Sequence, residues 1–383
     1  MTRVALLSSE PLRERMAGIA IRYREMARQL SAAGLEPVLV FPRPEDGSSP
    51  PADVEVRAFE RGRLPALLED CDAAVAQGQL ANDLLLEVPS LPTAIDLYDP
   101  WLVENLHYVD RLGLDPWRND HATWILQLSR GDFFLCSSEE QRRYYLGFLT
   151  AVGRVNPRRF SADPELRTLI DVVPFGVPEQ LPPHRPYLED LGSRSTILFG
   201  GLYDWYDPVT ALEAHSALEG DSLLLFIRTP DPATPSSRLE ELKRRLSRSG
   251  ADRERTRILD WVPFERRWDL LRDVALLVST HRPSLETDLS LRTRFLEALA
   301  AGCPVVVILN KWELLDTEAR TDMAYQVETK LRFLGDVPVL RVSAITGKGV
   351  NRLLPILADT IDDYHRRVPT RDVNRIVRSA QAA

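Results

Sequence analysis

The stretch Phe295-Leu296-Glu297-Ala298-Leu299-Ala300-Ala301-Gly302-Cys303-Pro304-Val305-Val306-Val307-Ile308-Leu309-Asn310-Lys311-Trp312-Glu313 decides how the rest of the chain is read. Its first part predicts a helix from about Leu291 to Ala301, stopped by Gly302, because glycine accepts the left-handed backbone of a helix C-terminus. The apolar run from Pro304 to Leu309 predicts a buried strand. Helix, glycine stop and buried strand form the repeat of a parallel α/β sheet. The polar Asn310-Lys311-Trp312-Glu313 has another character, so the chain changes identity near residues 302–311.

Upstream, Val4 to Leu7 predicts a buried strand ending in Ser8-Ser9, followed by a loop with Gly18. Met16, Ile19, Ala20, Tyr23, Met26, Ala27 and Leu30 recur at helical spacing, and Gly34 and the strand Pro37 to Phe41 follow. Short runs at Ala73–Ala76, Pro92–Asp96 and Asp132–Cys136 end in polar or small residues, where an open α/β sheet builds its site. Asp171 to Pro178 predicts a strand leaving this domain, and the prolines of Pro178 to Pro186 predict a linker. A second α/β series starts at Thr196-Ile197-Leu198-Phe199-Gly200-Gly201, with strands expected at Leu223–Ile227, Thr256–Leu259 and Val274–Ser279. The tail predicts a helix over Thr317–Leu334, a strand over Val339–Val342 and a helix over Val350–Arg366. The fold class is therefore α/β with two Rossmann-like domains, and the expected divisions are 1–177, 178–307 and 308–383.

The 383 residues carry a net charge of −8, which argues against broad binding to DNA, ribosomal RNA or anionic lipid. The arginines from Arg238 to Arg257 read as a solvated helix face. Cys71, Cys136 and Cys303 are widely spaced with no Cys-x-x-Cys, a pattern without a metal site that suits a reducing cytoplasm. No signal-peptide pattern precedes Val4, and no apolar run approaches the roughly 20 residues needed to cross a bilayer. Membrane association is expected to be peripheral at most. Three of the four lysines lie beyond residue 307, which fits a tail of different origin.

Four places resemble the GT-B glycosyltransferases, family-4-like enzymes above all, over about residues 1–307. They are Gly18 before Arg22-Tyr23-Arg24-Glu25-Met26-Ala27-Arg28-Gln29-Leu30, Val173-Pro174-Phe175-Gly176-Val177-Pro178, Phe199-Gly200-Gly201-Leu202, and Phe295 to Val306. The resemblance implies a nucleotide diphosphate sugar as donor substrate, no tightly bound cofactor, and a hydroxyl acceptor of the polysaccharide or glycolipid class. Backbone N–H groups at a helix N-terminus near Thr293 would hold the diphosphate without a metal, with Arg292 and Arg294 adding charge-assisted bonds. Glu297 would grip the ribose and Glu286 the donor sugar, although ten residues separate them where the family has seven. Gly18 belongs to the glycine loop. Arg228 reads either as a diphosphate ligand or as a surface arginine. Trp205 and Tyr206 read as a nucleobase stack or as packing. On the acceptor side, Asp96, Asp99 and His107 are the catalytic candidates, because an inverting transfer needs a carboxylate or histidine beside the acceptor hydroxyl. Asp96 reads equally as a strand-end cap and His107 as a surface histidine. Ser137, Ser138 and Arg142 follow another strand end.

From about residue 308 the chain resembles the end of the second GTPase domain of the ribosome-assembly GTPases Der/EngA. The match rests on Asn310-Lys311-Trp312-Glu313, Leu331-Arg332-Phe333-Leu334, Val342-Ser343-Ala344-Ile345-Thr346-Gly347, and Arg366 to Asn374. It implies a guanine pocket from Asn310, Lys311, Glu313, Ser343 and Ala344, with Glu313 one methylene longer than the usual Asp. GTP hydrolysis needs a phosphate cradle, G-x-x-x-x-G-K-[ST], and these 383 residues hold none. The expectation is a glycosyltransferase whose last βαβα segment comes from a GTPase. The alternatives are a GTP-binding ribosome-assembly fragment or an inactive chimera.

Overall fold

The computed structural model describes residues 1–42, 54–189, 194–229, 236–281, 284–290, 292–303, 306–309, 312–330, 337–343 and 346–365. The chain divides into two compact units, Met1–Ala301 and Gly302–Ala383.

The first unit holds two parallel sheets. The larger has the order β3-β2-β1-β4-β5-β6-β7, from β1 (Arg3–Leu7), β2 (Glu36–Pro42), β3 (Glu55–Phe59), β4 (Ala73–Ala76), β5 (Thr93–Asp96), β6 (Phe133–Cys136) and β7 (Ile170–Val172). Leu6 pairs with Leu39 on one side and Val75 on the other, so β1 lies in the sheet's interior. Its apolar run follows from this position, because a parallel strand covered on both faces has no polar side. Helix Gly18–Ala32 crosses from β1 to β2 and buries Ala20, Tyr23 and Ala27. Strand β3 was not expected from the sequence. It sits at the sheet edge with Glu55 and Arg57 outward, where Arg57 donates to both oxygens of Asp70 at 2.7 and 2.8 Å. An edge strand needs only half an apolar pattern, so periodicity gave no signal. Strand β7 ends at Val172, so the expected strand through Pro178 is shorter, and Val173 to Pro178 runs on as irregular chain.

The second sheet has the order β10-β9-β8-β11, from β8 (Ser195–Gly201), β9 (Ser222–Ile227), β10 (Thr256–Leu259) and β11 (Leu276–Val278). Each sheet has a point where strand order reverses, between β1 and β4 and between β8 and β11. At such a point successive crossovers leave in opposite directions, and a crevice opens beyond the carboxyl ends of the strands. The two halves of this unit meet directly. Phe264 packs with Leu12, Met16 and Ile21 of the first half. The Phe264 N–H donates to the Glu14 carbonyl at 2.8 Å, and Trp261 Nε1 donates to the Met16 carbonyl at 2.9 Å.

In the C-terminal unit, β12 (Val307–Leu309) and β13 (Val339–Arg341) pair in parallel as a two-stranded sheet. Helices Thr317–Lys330 and Leu353–His365 follow their respective strands. The expected helix over Thr317–Leu334 is thus described to Lys330. Pro304 and Val305 of the expected strand lie outside the described residues. Gly302, with φ of 82°, takes the left-handed conformation anticipated for the helix stop.

A buried ion pair joins three elements of the first half. Arg22 Nε donates to Asp96 Oδ2 at 2.8 Å and its Nη2 to Oδ1 at 3.2 Å, with both side chains shielded from solvent. The same guanidinium donates to the carbonyls of Val173 (2.8 Å) and Pro174 (3.3 Å). It therefore ties the first crossover helix to the end of β5 and to the chain leaving β7. Removing one member strands the other's charge in a dry site. Arg22→Leu is expected to lose about 3–5 kcal/mol in urea unfolding, and Arg22→Leu with Asp96→Leu to lose less than the two single changes summed.

Candidate functional site

The crevices of both sheets open on one cavity of about 350 Å³. From the first half it is lined by Glu10, Ala17 and Gly18 beyond β1 and by Tyr98, Asp99, Glu104, Asn105 and Tyr108 beyond β5. The second half contributes Gly200 and Gly201 at the end of β8, Tyr203, Trp205 and Tyr206 beyond it, Trp261 beyond β10, Ser279 beyond β11, and Ser290 with Arg292 to Phe295.

Two helices start at this cavity. Helix Thr293–Ala300 begins at Arg292 with no side-chain cap, and Thr293 and Arg294 line the space in front of it. Its first-turn N–H groups and dipole favour an anion there. Arg292 lies 5.1 Å from the Tyr206 ring centroid, and Arg294 5.4 Å from that of Trp261. The other helix starts at Gly18, where a Cβ would stand 3.0 Å from the Tyr98 hydroxyl, so a side chain would press on that ring. This second terminus already has an anion partner. The Ala20 N–H donates to Glu10 Oε2 at 3.0 Å.

The first-half wall carries three carboxyl groups that burial makes weak acids. Glu10 is pushed up to about 7, mainly by desolvation and opposed by its bond from Ala20. Burial pushes Asp99 up to about 6, with the Glu286 charge adding and a hydrogen bond with Glu104 opposing. Glu104 is raised well above the usual carboxylate range, by burial first and then by Asp99. Two carboxyls in hydrogen-bond contact share a proton more readily than they hold two charges.

The sequence candidates separate into two sets. Gly18, Asp99, Arg292, Thr293 and Arg294 line the cavity. Asp96 does not, because both its oxygens are taken by Arg22. Glu286 is fully buried with its oxygens 2.6 and 2.7 Å from Arg292, so it holds that arginine in place rather than facing the cavity. Glu297 is also turned away from it, and accepts from Arg267 Nε at 3.1 Å. Arg228 is exposed and pairs with Asp260 at 3.4 Å. His107 is exposed, its ring 6.4 Å from that of Trp205. Trp205 stacks on Tyr203 at 4.8 Å with an 11° interplanar angle, and both line the cavity. Ser138 caps the helix Glu139–Ala151, and Arg142 donates to the Ile170 carbonyl at 3.0 Å, so both serve the fold. Glu10, Tyr98, Glu104 and Tyr108 were missed. Glu10 and Glu104 lie in loops and short turns without periodicity. Their one sequence signal was a position a few residues beyond a strand end.

In the C-terminal unit both Glu313 carboxylate oxygens are buried with no hydrogen-bond partner among the described residues. Ser343 is buried, its N–H donating to the Lys348 carbonyl at 2.9 Å and its Oγ accepting from the Thr346 N–H at 3.1 Å. Asn310, Lys311 and Ala344 lie outside the described residues. Among the described residues no group of three or more His, Cys, Asp or Glu could hold a metal, and no helix is long and apolar enough to cross a membrane.

Two sheets with facing crevices make the fold of the GT-B glycosyltransferases. Solved structures similar over the whole chain include sucrose-phosphate synthase from Thermosynechococcus elongatus (TM-score 0.64, 11% identity, all of both chains). Another is Anabaena HepE in complex with UDP-glucose (TM-score 0.57, 11% identity, all of both chains). WaaG, a glycosyltransferase involved in lipopolysaccharide biosynthesis, matches with a TM-score of 0.56 and 14% identity over 94% of both chains. Curated relatives by sequence are of another kind. GTPase Der of Desulforudis audaxviator is 37% identical over 82 residues, 21% of this chain and 19% of that protein. GTPase Der of Rippkaea orientalis is 32% identical over 97 residues, 25% of this chain and 21% of that protein. The chain thus spans about one fifth of the length of these relatives. No family model matches it.

The weak acidity of Glu10 has a stability consequence. Its folded pKa of about 7 lies above the ordinary 4.5, so between those pH values the native state holds more protons than the unfolded chain. Stability then falls as pH rises through that window, and the full cost stands above pH 7. Glu10→Gln, whose side-chain oxygen still accepts from Ala20, is expected to leave Tm unchanged at pH 5 and raise it at pH 8. Equal shifts at both pH values in a thermal melt would contradict a proton-linked cost.

Proposed function

We propose that the first unit transfers a sugar from a nucleotide diphosphate sugar to a hydroxyl acceptor, of the polysaccharide or glycolipid class. The observation that carries this reading is the uncapped N-terminus of helix Thr293–Ala300, set with Arg294 against an aromatic-lined cavity between the two sheets. The diphosphate would lie there rather than at the Gly18 terminus, which Glu10 occupies. The pyranose rings would meet the Tyr203–Trp205 stack, and hydroxyl groups the polar atoms of Glu10, Asp99, Glu104 and Asn105. Burial favours this assignment electrostatically, because carboxyls kept partly neutral do not repel a diphosphate. The residues up to about 177 would serve the acceptor and 178–307 the donor. Asp99, with its raised pKa and cavity position, is the acid–base candidate of the three predicted. His107 and Arg228 would need movement to reach substrate. The spacing of the three cysteines supports a cytoplasmic setting. The negative net charge speaks against a DNA or ribosomal RNA partner.

A second reading, guanine-nucleotide binding without hydrolysis by the C-terminal unit, is favoured by Glu313. A buried carboxylate without a partner among the described residues is costly, and a base presenting two N–H donors would satisfy it. No phosphate loop accompanies it, so binding would be weak and GTP turnover absent.

The test is thermal-shift binding of the full chain with UDP-, GDP- and ADP-sugars and with GTP. One nucleotide sugar is expected to raise Tm, with Arg294→Ala weakening it by roughly tenfold or more through loss of a charge-assisted bond. Affinity should fall as pH rises from 6 to 8, because Asp99 and Glu10, at about 6 and about 7, then place negative charge beside the diphosphate. A GTP response that survives Arg294→Ala and is lost in Glu313→Ala would favour the second reading. Response to no nucleotide would leave an inactive chimera.

A further inference from the structure

One fully buried side chain outside the cavity connects its two walls. Gln141, in the first turn of helix Glu139–Ala151, has no solvent exposure. Its Oε1 accepts from the Ser137 N–H at 2.8 Å. Its Nε2 donates to the Tyr98 carbonyl at 2.9 Å and to the Leu289 carbonyl at 3.1 Å. The two donors of one amide are thus divided between the halves of the unit. Tyr98 precedes Asp99 on the first wall, and Leu289 precedes Ser290 and the Arg292–Arg294 segment on the second. The orientation of the amide follows from its partners, since an N–H and two carbonyls leave one arrangement that satisfies all three.

We infer that Gln141 is a positioning residue that sets the distance between the Asp99 wall and the Arg292–Arg294 wall. This rests on the glycosyl-transfer reading of the cavity. The physical grounds are independent of that reading. A carbonyl in a dry interface that loses its donor cannot turn to water without moving its loop. Among the described residues the helix Leu285–Leu289 also packs against Trp101–Glu104 and against the helix Glu139–Ala151, contacts that have no fixed direction. Close by, the two halves share the contact from Ser290 Oγ to Glu104 Oε1, at 3.4 Å and near the limit of a hydrogen bond. No apolar side chain can replace the amide, because packing has no preferred direction, whereas two N–H bonds from one planar group fix both carbonyls in one frame. A leucine or methionine there would fill the space and leave the walls unregistered. Gln141 does not itself line the cavity, so its effect on substrate must pass through Tyr98–Asp99 and Leu289–Arg292.

The experiment compares Gln141→Met and Gln141→Glu with the unaltered full chain. The first readout is amide hydrogen exchange of the unliganded protein, followed over residues 97–105 and 284–295. The Met change is expected to speed exchange in both segments by about tenfold, the scale of one buried carbonyl left without its donor. Strands β1, β4, β8 and β9 should keep their protection. Buried and protonated, the Glu side chain has one donor where the amide has two, and it should give a smaller increase. The second readout is the split of kcat from KM for the nucleotide sugar that the thermal-shift screen identifies. Misregistered walls should lower kcat more than they raise KM, because each wall still binds its own part of the substrate. Faster exchange in residues 97–105 alone, or wild-type exchange in both variants, would overturn the inference. So would faster exchange that also spreads through the core strands, which marks a merely structural residue. If Gln141→Met does not fold, Gln141→Glu decides by the same exchange criterion. If no nucleotide sugar binds the wild type, the glycosyl-transfer reading fails, and the exchange data still establish or refute the coupling of the two walls.

Discussion

The Arg22–Asp96 pair is the contact on which the first half of the molecule turns. Parallel strands cannot be closed by tight hairpins, so their carboxyl ends are held only by what crosses between loops. Arg22 supplies that crossing. Its planar guanidinium spends two N–H donors on Asp96 and others on the Val173 and Pro174 carbonyls, and it lies 4.8 Å from the Tyr98 ring centroid. A lysine could not divide its donors in this way, because its ammonium lacks the fixed fork. With Asp96 and Tyr98 in place, Asp99 is delivered to the cavity and the Tyr98 hydroxyl to Gly18. Asp96 is therefore one step removed from the cavity, although its place at the end of a strand made it a plausible acid–base group.

The cavity adds a second constraint, the treatment of charge around it. The carboxylates in and around it are handled differently. Glu286 is spent on Arg292, and Glu297 on Arg267. Among the described residues Glu10, Asp99 and Glu104 form no salt bridge with an arginine, and burial pushes all three toward the neutral form. The second-half wall keeps its positive charge and its uncapped helix terminus. The cavity is thus polarised from one half of the unit to the other, and the polarity depends on protonation as well as on composition.

The C-terminal unit follows another logic. Its parallel pair β12–β13 and two helices are the minimum of a βαβα piece, and Gly302 marks where it begins. The likeness to GTPase Der covers about one fifth of the chain, whereas the GT-B likeness in fold covers all of it. Fold and local sequence can have different histories, because parallel α/β layers share packing rules that do not depend on the chemistry at their loops. Glu313 in this unit has both carboxylate oxygens buried with no hydrogen-bond partner among the described residues, an arrangement that packing alone does not favour.

The α/β class, the succession of most strands and the glycine stop at Gly302 were legible in the sequence, because buried parallel strands must be apolar and helix ends must solve a backbone problem locally. Strand β3 was not legible, since an edge strand is freed from that rule. Among site residues, Gly18, Asp99 and the Arg292–Arg294 segment could be found from their places beyond strand ends and at a helix start. Glu10, Glu104 and Gln141 could not, because what each does depends on a partner 10 to 186 residues distant. Nor could the sequence tell Asp96 from Asp99, three residues apart. Local pattern specifies which residues reach the end of a strand. Only tertiary structure decides which of them meet an arginine and are neutralised, and which are left facing the cavity.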